Sequence, residues 1–164
     1  MVRSCSLLMA LALATLFSAS SVFGSEKLVG VWRIESFYSE VRATGERINS
    51  LGDEPKGYVT FTPEKRMLAV WTASNRKKPE SDEDRAAAFR SMYAATGPYR
   101  IEGDRYIVTI EAAWNEQLVG GEQGRTFKID GDTLTIISDW APSSTIPGRP
   151  EVRGVSVYKR VAAP

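Results

Sequence analysis

The stretch EAAWNEQLVGGEQGR, residues 111–125, concentrates groups that could bind a ligand or move a proton: Glu111, Trp114, Asn115, Gln123 and Arg125. If the strands carrying its two ends pair, the Glu111 carboxylate and the Arg125 guanidinium come near each other. Facing solvent, they make a surface ion pair worth about 0–1 kcal/mol. Facing inward among apolar walls, they become the few fixed polar groups of a binding pocket. Tyr58 and Trp71 would then add aromatic wall, although alternation with period two does not by itself fix which face either side chain takes. An inward Glu111 would also suit acid or base work, with a Tyr or Arg as electrostatic partner.

Much other chemistry is excluded. None of the 164 residues is histidine, so Ser-His and Cys-His nucleophiles, histidine zinc sites and histidine-ligated haem are out. GGEQG precedes a strand and opens no helix, which argues against a phosphate loop. DGD at 130–132 lacks the further carboxylates of a calcium loop and reads as a hairpin turn. No catalytic residue, metal or cofactor is assigned.

The N-terminus reads as a targeting segment. MVR is basic, LLMALALATLF is apolar and SASSVFGS is rich in small residues, which together make residues 1–24 a secretory signal peptide. The apolar run is shorter than the roughly 20 residues a bilayer requires. Cys5, the single cysteine, precedes that run and would leave with it, so the domain at 25–164 must be held by its core without a disulfide. Lys+Arg number 21 and Asp+Glu 20, and loss of Arg3 balances them. A neutral chain is a poor partner for nucleic acid or an anionic membrane surface. The expected location is secreted or periplasmic, without stable membrane insertion.

The elements that must position the candidate site are mostly short strands between turn signals. They are expected at 28–39, 57–62, 66–73, 99–103, 105–114, 125–130, 133–140 and 154–161. PEK, EGDR and DGD supply tight turns. One helix interrupts them. Ser81 is its N-cap, with Asp84 closing a weak capping box; Ala86, Phe89 and Tyr93 form its apolar stripe, and Gly97-Pro98 is its expected stop. These elements predict an all-β fold, an eight-stranded antiparallel up-and-down barrel. Pairing the first strand with the last removes both open edges. The helix, of three to four turns, is expected as a lid or plug at one barrel end.

GVWRIESF resembles the Gly-X-Trp start of lipocalin and wider calycin barrels, in which the tryptophan plugs the closed end beneath a basic residue of the last strand. Arg160 or Lys159 stands where that cover is needed. DEPKGYVTFTPEKRM, RAAAFRSMYAATGPYRI, EAAWNEQLVGGEQGRTFKIDGDTLTI and PGRPEVRGVSVYKR extend the likeness over 28–161 to the short bacterial and fungal lipocalin-like domain family. Where that family often carries paired histidines this chain has Val108-Thr109, and where it often has a second tryptophan this chain has Leu118. Chemistry dependent on those histidines is therefore absent.

The resemblance and the residues together imply an exported barrel that binds a small apolar or amphipathic molecule, as a monomer or weak dimer. Two alternatives stay open: a small isomerase- or cyclase-type enzyme using Glu111, and an envelope interaction protein with a filled barrel and APSSTIPGRPEV (141–152) as its recognition loop. The signal peptide carries a direct prediction. Intact mass of protein from its native host should place the mature N-terminus near Ser25; a full-length, membrane-retained product contradicts it.

Overall fold

The computed structural model of the protein describes residues 26–143 and 146–162. The expected signal peptide lies outside them.

Strand formation follows the apolar alternation, and closure follows from pairing the chain's two ends. Eight strands run antiparallel around a ring: β1 (Gly30–Val41), β3 (Lys56–Phe61), β4 (Arg66–Thr72), β5 (Met92–Glu102), β6 (Arg105–Thr109), β8 (Glu122–Asp130), β9 (Thr133–Ser138) and β11 (Glu151–Arg160). Three two-residue strands extend them: β2 (Arg47–Ile48), β7 (Ala112–Ala113) and β10 (Ala141–Pro142). β1 pairs with both β3 and β11, so the expected eight-stranded barrel is closed. Antiparallel order puts the tight turns at 62–65, 103–104 and 131–132 on one end. The long connections at 42–55, 73–91 and 110–121, and the described residues of 139–150, all lie on the other.

The tight-turn end is sealed. Trp32 is fully buried, and its Nε1 donates to Leu28 O at 2.9 Å. The Arg160 guanidinium lies 3.9 Å from the Trp32 ring centre and donates to the carbonyls of Val29 (3.0 Å) and Lys27 (2.5 Å). Of the two expected basic partners, Arg160 is the cover; Lys159 instead donates to Thr133 Oγ1 on the exposed surface. A Cβ on Gly30, whose φ is +142°, would stand 2.6 Å from Arg160 Nη1, so the glycine makes room for the cation. Inside this seal Phe61 packs edge-on against Tyr99 and Tyr106, with ring centres 5.2 and 5.1 Å apart. Trp32, Phe61 and Leu134 thus fill the floor.

Two irregularities decide which residues reach the interior. The β1–β11 register shifts between Ile34 and Ser36, so the inward face runs Trp32, Ile34, then Phe37 and Ser39. A one-residue shift also separates the Tyr99↔Val108 pair from Thr96↔Ala112, which splits the expected strand 105–114 into β6 and β7. Gly97 faces this bulge. A Cβ there would meet Thr109 O at 1.8 Å, so Gly97 serves a strand crossing and not a helix stop.

The helix expectation therefore needs correcting. α1 covers Asp82–Arg90, about two and a half turns. The capping box is complete, with Ser81 and Asp84 bonding each other's backbone N–H. The helix ends at Ser91, because Met92 and Tyr93 are drawn into the ladder with Thr72 and Trp71. None of its residues is buried and none lines the interior, so α1 flanks the open end instead of plugging it.

Trp32→Ala should cost about 3–5 kcal/mol in chemical denaturation, as expected for deleting a large buried aromatic. A loss below about 1 kcal/mol would place the seal outside the energetics of the fold.

Candidate functional site

Above the aromatic floor the interior is not filled. A cavity of about 330 Å³ opens toward the long connections. Its lower wall is apolar: Val59 on β3, Met67 and Ala69 on β4, Val108 on β6 and Ile136 on β9. Trp71 continues that wall upward, stacked on Tyr93 at 4.3 Å and 15° and edge-on to Tyr158 at 6.3 Å. The 141–152 segment is not a free recognition loop along its whole length. Ala141 and Pro142 pair with Val152 and Glu151, and this hairpin narrows the cavity mouth. Trp140 beside it is flanked by the guanidiniums of Arg153 and Arg42, at 4.7 and 5.7 Å from its ring centre.

Several of the polar lining groups lie on β8, β9 and β11. Gln123 and Arg125 alternate inward along β8, and Arg125 pairs across the sheet with Tyr106 on β6 and Ser138 on β9. Gln123 Oε1 accepts from Arg125 Nη2 (2.8 Å) and from the Tyr93 hydroxyl (3.2 Å), and Arg125 Nη1 donates to Gly124 O (2.8 Å). Ser156 and Tyr158 on β11 complete the wall. Burial pushes the phenols of Tyr93, Tyr106 and Tyr158 above the ordinary tyrosine range; the Arg125 charge opposes this at all three, and a bond from Ser156 opposes it at Tyr158. Asp139 at the rim is gripped by Arg105 through two bonds of 2.9 and 2.8 Å, which together with the Arg125 charge holds its carboxyl below the usual range. Among the described residues no cluster of carboxylates or cysteine suits a metal ion.

The structure separates the seven sequence-derived candidates. Trp71, Gln123 and Arg125 line the cavity. Tyr58 does not: it pairs with Val70 on the outer face and is 46% exposed, because Val59 and Phe61 take the inward positions of β3. Glu111 does not either. Tyr106, Val108 and Ile110 take the inward positions, so Glu111 alternates outward, where it forms an ion pair with Arg66 and not with Arg125. Trp114 packs outside the lining, against Tyr93 (4.8 Å) and the half-exposed Phe89 (6.4 Å). Asn115 is spent on local structure, its side chain accepting from Gln117 N to cap the short 3₁₀ turn Glu116–Leu118.

Residues the candidate set lacked are Phe37, Tyr93, Tyr106, Ser156 and Tyr158. A signal for two of them was present. Counting back in twos from Arg160, the cover of Trp32, gives Tyr158, Ser156, Gly154 and Val152, all four of which line the cavity.

A closed eight-stranded antiparallel barrel with a tryptophan-sealed floor and a cavity at the other end is the architecture of a calyx that holds small molecules. The sequence model of the lipocalin-like domain matches residues 29–161, and the chain belongs to that family. A comparison with curated proteins finds no match.

Tyrosine ionisation tests the site's electrostatics. Burial raises the pKa of Tyr93, Tyr99, Tyr106 and Tyr158, four of the six tyrosines. A pKa raised in the folded state means these phenols keep stability that is fully present below the unfolded value of ~10 and is lost as pH rises past it. In an alkaline titration read by phenolate absorbance, these four should ionise only as the barrel opens. A six-tyrosine step near pH ~10 with the fold intact contradicts the burial described here.

Proposed function

We propose that this protein is exported and carries a small apolar or amphipathic molecule in the barrel cavity, acting as a monomer or weak dimer. One observation carries the reading: a space of about 330 Å³ with an apolar lower wall and a few polar groups, Gln123 and Arg125 among them, in its lining. That volume lies at the lower end of the ~300–1,000 Å³ range of ligand pockets, so the occupant is compact. Family membership supports small-molecule binding in general. Export rests on the composition of residues 1–24, and no helix among the described residues is long and apolar enough to cross a membrane.

The enzyme reading loses its reagent. Glu111 lies outside the cavity in an ion pair with Arg66. Among the described residues that line the cavity the three phenols are held protonated, and the Asp139 carboxylate is turned to the outer face and engaged by Arg105. The filled-barrel reading is weakened by the cavity itself. Binding without chemistry is the simplest use of these walls.

Native mass spectrometry of protein purified from its own source should detect a retained small molecule. Ala69, a buried residue of the lower wall, offers the matching variant. Ala69→Phe projects a ring into the space and should weaken retention about tenfold or more, a change of ~1.4 kcal/mol. Wild-type protein that carries no ligand and binds none from a panel of fatty acids, terpenoids and aromatic metabolites would contradict the proposal.

A further inference from the structure

Charge is unbalanced inside the cavity. Among the described residues Arg125 is the only Lys or Arg in its lining and Asp139 the only acidic residue. Both oxygens of Asp139 are taken by a second guanidinium, that of Arg105. That ion pair lies over Gly124 on the outer face, so it does not offset Arg125 inside, and among the described residues no carboxylate lies within 4.0 Å of Arg125. Its recorded partners are two neutral oxygens, Gly124 O and Gln123 Oε1. A guanidinium has five N–H donors, and neutral acceptors leave its charge uncompensated. Around it stand groups that donate: Tyr93 already bonds Gln123, while Tyr106, directly across the sheet, makes no hydrogen bond among the described residues.

Resting on the proposed carrier function, we infer that the ligand is an anion with an apolar body, and that a carboxylate-type head group seats on Arg125. The guanidinium presents paired donors to such a head group, a geometry an alcohol or amine cannot match. Tyr106 Oη supplies a further donor from the facing strand. The apolar body extends along Met67, Ala69 and Val108. The charge of Arg125 reaches Tyr93, Tyr106, Tyr158 and Asp139 alike, which places it centrally on the polar wall.

The experiment compares octanoate with 1-octanol, two probes of equal chain length that differ in head-group charge, by tryptophan fluorescence and calorimetric titration at neutral pH. Wild type should bind octanoate about tenfold or more tightly than 1-octanol, in keeping with a hydrogen bond to a charged group. Arg125→Gln should bring the two affinities together, and Arg125→Lys should restore part of the preference. Equal binding of both probes by wild type, or an acid preference that survives Arg125→Gln, overturns the anionic head group and leaves the carrier reading standing. Failure of wild type to bind either probe overturns the head-group assignment; the carrier reading then depends on the retained molecule. If Arg125→Gln does not fold, the wild-type ratio and Arg125→Lys still decide.

Discussion

The guanidinium of Arg160 lying on Trp32 is the contact on which the rest of the barrel depends. It joins the first strand to the last, and the same side chain ties down the carbonyls of Lys27 and Val29. Stacking of this kind contributes on the order of 0.5–2 kcal/mol. Its greater effect is topological, since it closes one end to water. The β1–β11 pairing it completes removes both open edges of the sheet. With the seal in place Phe61, Tyr99 and Leu134 pack as an interior, and the cavity above them has one mouth instead of two.

A barrel sealed at one end separates structural from functional duty along its axis. The tight-turn end holds the aromatic floor. The other end carries every long connection and is held by outer ion pairs such as Arg153–Glu40 and Arg42–Glu151. These exposed or half-exposed pairs contribute little each. They link the end of β1 and the start of the 42–55 connection to the start of β11, which pairs with Ala141 and Pro142 at the mouth. Between the two ends Arg125 is a cation held by two neutral oxygens, Gly124 O and Gln123 Oε1, and with the floor closed its remaining donors are reached from the mouth.

Much of this was legible in the sequence. Gly30-Val31-Trp32 and the basic VYKRV announced the seal, the spacing of turn signals matched the strand number, and three of the named candidates, Trp71, Gln123 and Arg125, line the cavity, although alternation alone left the face of Trp71 open. The failures have local physical causes. Glu111 is expected beside Arg125, but Tyr106, Val108 and Ile110 take the inward positions, so Glu111 faces out while Arg125, paired with Tyr106, faces in. Tyr93 was read as the end of a helical stripe, but seven consecutive pairs between β4 and β5 outweigh a helix with no buried residue. The face a strand buries and a sheet's claim on a helix end are both decided by partners distant in sequence. Periodicity within one segment does not contain them.

The central claim is that the sealed barrel keeps an open cavity whose polar wall receives a ligand. A crystal structure of the protein grown with octanoate tests it most directly. The account requires ligand density above the Phe61–Tyr99–Tyr106 floor, with its carboxylate within hydrogen-bond distance of Arg125. Side chains collapsed into the cavity, or octanoate bound only on the outer face, would contradict it.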